Sequence, residues 1–340
     1  LGLTQDVKAL LIYRPRLRAA RAAAAQVDAE LLWQEWQVAG QARQLAVELI
    51  AREAERPLLA EAAALLERRD RVTRAALGAG HVTLASAAPA ALGYQQARAN
   101  LQALDQAQLQ GRHQLDALLG LGPEVPIPLA ESAALAPLDI AAVRAMLPDL
   151  AARRPDLLAL RFGYRSQDET LRAAILSQFP DLVLGGAGTS DNSAAVAAGP
   201  SVTLALPVFD RNQGNIAIAR ATRAQLRAEY AARLAATAGE AGALLGEIEQ
   251  LRAQLAVVEA DLPQARLAAS RASDAFAASL LDERSYVDLI TNRFAKEQDV
   301  LALRLALLDR QVAIETLIGA GLPGVAESGL GDPGIAGAAR

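Results

Sequence analysis

The sequence predicts a mostly α-helical protein with a small β part, built on helices too long for an ordinary compact domain. Three observations carry this. Hydrophobic residues make up 52% of the 340-residue chain but aromatics only 4%, so Ala and Leu supply the apolar share. Such a composition favours long helices over a mixed core. Apolar residues recur at helical spacing over stretches of 35 residues and more. Strict alternation is clear in one place, where Val202, Leu204, Leu206 and Val208 alternate with Ser201, Thr203, Ala205 and Pro207.

Residues 283–318 give the clearest helix. Val287, Ile290, Phe294, Leu301, Leu305, Leu308 and Val312 form one stripe, and Leu289, Leu303, Leu307, Ile314 and Leu317 a second. Two stripes predict neighbours on two sides, as in a wall of packed helices. Residues 214–279 and 15–77 read as two very long helices. At 1.5 Å per residue each spans on the order of 100 Å. Pro263 and Pro57 interrupt them, and a kink or short break is expected at each, because proline lacks the N–H and crowds the preceding turn. Return helices are predicted over 86–119 and 283–318. The turns that open them lie at Gly78-Ala79-Gly80-His81-Val82-Thr83 and Ser279-Leu280-Leu281-Asp282. Two shorter helices, 139–152 and 155–178, flank Arg153-Arg154-Pro155-Asp156, with Pro155 suited to a first helical turn. Residues 181–190 are β-compatible and glycine-rich, and Asp191-Asn192-Ser193 is a turn candidate. Leu1, Leu3 and Val7 alternate with Gly2, Thr4 and Asp6 as a further strand.

The chain repeats itself with a period near 200. Leu118-Leu119-Gly120-Leu121-Gly122-Pro123 recurs as Leu317-Ile318-Gly319-Ala320-Gly321-Leu322-Pro323. Arg18-Ala19-Ala20-Arg21-Ala22 resembles Ile218-Ala219-Arg220-Ala221, Pro57 answers Pro263, and Gly80 falls opposite Leu280. The expected organisation is a first repeat over 1–123 lacking its N-terminal part, a second over 124–323, a β-hairpin over 181–208 and a flexible tail over 324–340. Residues 139–200 have no counterpart, so roughly 60 residues of the first repeat, and any signal sequence, are expected upstream of Leu1.

Composition excludes several functions. With no Cys, one Met and two His, thiol catalysis, disulfides and cysteine-based metal sites are ruled out. A net charge of −4 is no footprint for nucleic acid. No apolar run is long enough for a spanning helix, which leaves a β-barrel open. Gly185-Gly186-Ala187-Gly188 lacks a following P-loop lysine, and there is no nucleophile elbow or carboxylate–histidine constellation. No catalytic residue, cofactor or metal site is predicted. The alternating hairpin suits either a barrel with lipid outside and water within, or a soluble hairpin packed on helices.

The stretch Pro207-Val208-Phe209-Asp210-Arg211-Asn212-Gln213-Gly214-Asn215 resembles the strand-to-helix junction of the TolC family of outer membrane efflux channels, in a form similar to the CzcC branch that serves heavy-metal efflux. Arg153-Arg154-Pro155-Asp156, Gln178-Phe179-Pro180-Asp181 and Tyr286-Val287-Asp288-Leu289 resemble further family segments. The resemblance implies long α-helical hairpins forming a periplasmic tunnel, with β-hairpins that close into a trimeric transmembrane β-barrel. It implies a homotrimer in the bacterial outer membrane that contacts lipid and extends into the periplasm. It also implies the exit duct of a tripartite, RND-type pump, docked on a periplasmic adaptor protein and through it on an inner-membrane RND transporter. The cargo would be heavy-metal cations or other exported solutes, moved passively. A non-channel periplasmic helical scaffold is the alternative.

Site residues follow from the same resemblance. The adaptor-docking tips would be Gly78, Gly80 and His81 in one hairpin and Ser279, Leu280 and Asp282 in the other. The junction motif is Pro207, Phe209, Asp210, Arg211, Asn212 and Gly214. Asp288 matches one of two aspartates that ring the pore in some members, while Thr291 stands at the second position. Asp288 reads either as a gate carboxylate or as an exposed helix-face charge. His81 reads as a tip residue or a ring member. Asp282 and Glu283 read as a cap and first-turn charge, or as adaptor contacts. Trp33 and Trp36 suit an interface or packing within the tunnel, and Tyr13 and Phe209 an interfacial belt.

Overall fold

A computed structural model of the chain describes residues 2–122, 124–133, 135–190, 196–205 and 211–322. The order is β1 (Gly2–Asp6), α1 (Val7–Gly78), α2 (Leu84–Leu118), α3 (Ile140–Met146), a 3-10 turn (Leu147–Asp149), α4 (Leu150–Arg153), α5 (Pro155–Leu176), β2 (Asp181–Ser190), β3 (Val196–Ala205), α6 (Gln213–Ala277) and α7 (Glu283–Ile318). The predicted turn at Asp191-Asn192-Ser193, the strand residues Leu206 and Val208, and the tail over 324–340 lie outside the described residues.

Several expectations are corrected. Val7 belongs to the helix, because the Asp6 carboxylate accepts the Lys8 N–H at 2.9 Å and starts α1 eight residues before Pro15. Neither Pro57 nor Pro263 breaks its helix: α1 and α6 run continuously through them. Both prolines are exposed, so water can reach the carbonyl that each leaves without its helical partner. Pro148 does interrupt: the segment predicted as one helix over 139–152 becomes α3, a 3-10 turn and α4. β3 starts at Val196, before the predicted alternation.

The chain divides into two compact units, Leu1–Glu35 with Met146–Gly239 and Gly321–Arg340, and Trp36–Ala145 with Glu240–Ala320. In the first, α5 packs on both long helices. Leu158, Ala159 and Phe162 meet Ala29 of α1, while Leu171 and Ala174 meet Ile216 and Ala219 of α6. Its start is held by a buried charge pair, Arg154 Nε and Nη2 to Asp156 Oδ1 and Oδ2 at 2.9 and 2.8 Å, with the Arg154 guanidinium 4.3 Å from the Trp33 ring centre. The same unit carries an antiparallel sheet in the order β1-β2-β3.

In the second unit four helices share one core. Ala62 and Leu66 of α1, Ala90 and Ala97 of α2, Ala269 of α6, and Val287, Ile290 and Phe294 of α7 pack together. Half of these are alanine, which lets helix axes approach closely. The Trp36 indole N–H donates to the Thr316 carbonyl at 2.8 Å, and a Cβ on Gly40 would lie 2.5 Å from Thr316 Cγ2. Thr316 cannot swing aside cheaply, because its hydroxyl donates to the Val312 carbonyl at 2.8 Å. Gly40→Ala is therefore expected to cost about 1–3 kcal/mol by overpacking, read as a lower midpoint in thermal or denaturant unfolding.

Candidate functional site

The sheet has two chemically distinct faces. Register places Leu3 beside Gly186 and Pro200, Gln5 beside Leu184 and Val202, and Leu182 beside Leu204. Cross-strand neighbours share a face, so Leu3, Leu182, Leu184, Val202 and Leu204 form an apolar surface that Gln5 interrupts. The other face carries Thr4, Asp6, Asp181, Ser201 and Thr203, with Val183 as its one large apolar side chain among the described residues. Leu3, Val202 and Leu204 remain 82%, 68% and 56% exposed in the single chain. β2 and β3 are ten residues each, the length that crosses a bilayer as a tilted strand. Gly185 sits between Thr4 and Ser201 on the polar face, where an added Cβ would lie 2.7 Å from Ser201 Oγ and 2.9 Å from Thr4 Cγ2. That close approach explains one glycine of the run Gly185-Gly186-Ala187-Gly188.

The helices leave the sheet through a tied junction. Lys8 pairs with Asp181 and donates to the Ser177 carbonyl at 3.4 Å, joining the starts of α1 and β2 to the end of α5. Asn212 adopts φ 60°, a left-handed conformation that Asn tolerates better than most residues. Its side-chain amide donates to the Ala174 carbonyl at 2.9 Å, and its Oδ1 accepts from Asn215 Nδ2 at 2.6 Å. Arg211 is exposed and Gly214 has open space around it. Pro207, Phe209 and Asp210 lie outside the described residues.

The hairpin ends are built alike. Gly80 at φ 74° ends α1, with Gly80 N–H donating to Leu77 and His81 N–H to Ala76. Ser279 at φ 59° ends α6, with Ser279 N–H donating to Phe276 and Leu280 N–H to Ala275. Gly120 and Gly319 close α2 and α7 with the same paired bonds. The left-handed partner of Gly80 is thus Ser279, one residue from the sequence alignment on Leu280. Thr83 caps α2 through Ser86, and Asp282 caps α7 through Ser285, whose N–H and hydroxyl donate to it at 2.9 and 2.7 Å. Those bonds hold the Asp282 carboxyl below its ordinary range. His81 is exposed, Gly78 has nothing near its Cβ position, and Leu280 is 81% exposed.

Sequence reasoning missed the cluster behind these tips. Arg69 of α1 grips Glu283, Nε to Oε1 at 2.6 Å and Nε to Oε2 at 2.8 Å, and lies 4.2 Å over the Phe276 ring. Phe276 stacks on Tyr286 at 4.6 Å. One cation thereby joins α1, the end of α6 and the start of α7. The available signal was two aromatics flanking one turn in a chain poor in them.

Asp288 and Thr291 differ in what they present. Asp288 is 68% exposed, with Arg284 Nε 3.9 Å away. The Thr291 hydroxyl donates to the Val287 and Asp288 carbonyls at 2.8 and 3.1 Å, so it is occupied by its own helix. Higher on α7, Asp309 is half-buried, with Oδ1 unpartnered among the described residues. Burial pushes its carboxyl up to about 6, the nearby Glu48 charge adds to this, and Arg310 and Arg52 oppose it. No group of three or more His, Cys, Asp or Glu side chains suited to a metal ion occurs among the described residues.

The family model described as outer membrane efflux protein matches residues 146–320. Among solved structures, the outer-membrane channel OprN is 18% identical with a TM-score of 0.79, covering 94% of this chain and 74% of that one. The outer membrane protein VceC from Vibrio cholerae is 18% identical with a TM-score of 0.78, covering 94% and 78%. CusC, solved in a study of folding and transmembrane channel formation, is 17% identical with a TM-score of 0.77, covering 94% and 77%. At these identities the likeness is one of fold. Curated proteins give no match.

Two outcomes are expected at the hairpins. Ser279→Gly relieves a left-handed residue that costs roughly 1 kcal/mol, and should raise the thermal midpoint by a few degrees. Asp309 has a folded-state pKa above its ordinary value of 3.8, so its ionisation opposes folding at neutral pH and that penalty fades as pH falls from about 6 towards 4. Asp309→Asn should therefore raise the midpoint of thermal unfolding at pH 8, and the gain should shrink steadily by pH 4.5.

Proposed function

The chain belongs to the outer membrane efflux protein family, and from that premise we propose that it is the trimeric exit duct of a tripartite efflux pump. It is an efflux channel of the bacterial outer membrane that extends into the periplasm. The observation that carries the finer reading is the two-faced sheet. An apolar surface of Leu3, Leu182, Leu184, Val202 and Leu204 suits lipid, and the opposite face of Thr4, Ser201 and Thr203 suits a water-filled lumen. Strands from three copies would close the barrel and remove the open edges.

The helical hairpins would be the two structural repeats, over 1–123 and 124–323. Their matching ends support this: Gly80 and Ser279, Thr83 and Asp282, Ser86 and Ser285, and Gly120 and Gly319 are each 199 residues apart. The tips, through Gly78, Gly80, His81, Ser279, Leu280 and Asp282, would dock a periplasmic adaptor that links the duct to an inner-membrane RND transporter. Exposed Leu280 is the apolar contact such docking needs. Asp288 would set the cation preference of the pore entrance, with Arg284 moderating its charge. Heavy-metal cations are the proposed cargo, on the likeness of the junction around Arg211, Asn212 and Gly214. The duct does no chemistry and needs no cofactor, and a weakly binding wall lets solute leave.

Single-channel recording of the full-length protein in a planar bilayer tests this. Stable pores of low conductance are expected, with conductance rising several-fold in Asp288→Ala. Protein that stays soluble without detergent and forms no pore would leave the helical scaffold instead.

A further inference from the structure

The ends of α1 and α6 nearest the sheet carry a charge pattern that the channel reading leaves unused. Residues 7–27 contain Lys8, Arg14, Arg16, Arg18 and Arg21 and no Asp or Glu. Residues 211–228 contain Arg211, Arg220, Arg223 and Arg227 and again no Asp or Glu. Nine cations without an acid stand out in a chain whose net charge is −4.

Three of the nine are used inside the fold. Lys8 pairs with Asp181, Arg223 with Asp168 at 2.6 Å, and Arg18 lies 3.8 Å from Glu169. Arg14, Arg16, Arg21, Arg211, Arg220 and Arg227 are exposed and make no ion pair among the described residues. Their placement is regular. Arg14 and Arg21 lie seven and fourteen residues beyond the start of α1, and Arg220 and Arg227 the same distances beyond the start of α6. Seven residues of helix advance about 10 Å, so Arg14 and Arg220 sit at matching levels past the sheet, with Arg16 two residues further along α1 and Arg211 two residues before the start of α6. At the same level Tyr13 is 62% and Ile218 65% exposed, and Leu10, Leu11 and Phe179 are also exposed.

The surfaces along this unit are therefore an apolar sheet face and then a zone where exposed aliphatic and aromatic side chains are interleaved with guanidinium groups that make no ion pair among the described residues. A bilayer presents hydrocarbon and then an interface that carries phosphate. Guanidinium is the side chain best matched to phosphate oxygens, because its planar fork donates two parallel hydrogen bonds. Its aliphatic stem can lie along the apolar belt while the charge reaches the headgroups. We propose that Arg14, Arg16 and Arg220 form a collar that binds the phosphates of anionic phospholipids in the periplasmic leaflet. The proposal rests on the channel reading and adds the lipid class that the membrane-facing unit selects.

The test is native mass spectrometry of the detergent-solubilised full-length protein, titrated with phosphatidylglycerol and separately with phosphatidylcholine. Each arginine near an anionic lipid surface is worth about a fivefold change in binding. The wild type should retain phosphatidylglycerol at least tenfold more tightly than phosphatidylcholine. The triple variant Arg14→Gln, Arg16→Gln, Arg220→Gln should lose that preference and still form pores of wild-type conductance. An unchanged lipid preference in the variant overturns the collar. So does a shifted reversal potential without a change in lipid binding, which would put these arginines in the lumen, or loss of adaptor binding alone, which would make them a protein contact. Wild-type protein that forms pores but shows no lipid preference defeats the collar and spares the channel. Protein that forms no pore and needs no detergent defeats both.

Discussion

A backbone polar group in hydrocarbon has no water to turn to, and that constraint governs the small sheet on which the membrane role depends. β2 has both edges paired, with β1 on one side and β3 on the other. Among the described residues, β1 and β3 each keep one edge open. An exposed face of Leu3, Val202 and Leu204 would favour lipid, yet lipid would punish open edges by several kcal/mol for each unmet group. Closure by further strands would resolve both demands at once. The same constraint explains the strong register: a slip by one residue would exchange the leucines for Thr4, Ser201 and Thr203. Gly185 adds to this, since only a residue without Cβ fits the row between Thr4 and Ser201.

The helices answer a different problem. Helices of 72 and 65 residues cannot be stabilised by propensity or by one core alone. The chain supplies local fastenings instead. In one unit the Arg154–Asp156 pair and the Trp33 ring fix the start of α5, with both charges buried and hydrogen-bonded. In the other, alanines at Ala62, Ala90, Ala97 and Ala269 bring four helices together, and Arg69 with Glu283, Phe276 and Tyr286 fastens the hairpin ends. A guanidinium between a carboxylate and an aromatic face suits this place, because each of its partners comes from a different helix segment.

Much of the helical architecture was legible from periodicity and caps. The last helix was read over 283–318 and is found at Glu283–Ile318, because Asp282 and Gly319 mark both ends chemically. Pro155 likewise marks the start of α5. Boundaries failed where a side chain or water decided the outcome. Val7 alternates with its neighbours as a strand residue would, but the Asp6 cap draws it into α1. The sequence suggests a kink or short break at Pro57 and Pro263, but neither breaks its helix, because exposure makes a lost hydrogen bond tolerable there. Pro148 divided a helix that the apolar pattern ran together. At the tips, alignment suggested Leu280, whereas the left-handed residue is Ser279, a distinction of backbone angle that composition does not encode. The Arg69 cluster was not legible, since Arg69 and Glu283 are 214 positions apart.

The sequence by itself determined the long alanine-rich helices, their turns and caps, the two-sided character of the Ser201–Val208 alternation, and the junction likeness that points to an efflux channel. These depend on short-range periodicity, on capping chemistry and on a local motif, all of which are written in consecutive residues. Only the tertiary structure decided which charges are consumed and which are free. Lys8, Arg18 and Arg223 find acids on other elements, whereas Arg14, Arg16, Arg211 and Arg220 find none among the described residues. It also placed Leu3 on the same face as Leu184 and Leu204, strands apart in the chain but aligned by register. Pairing between distant segments is set by three-dimensional proximity, and a linear pattern carries no measure of that.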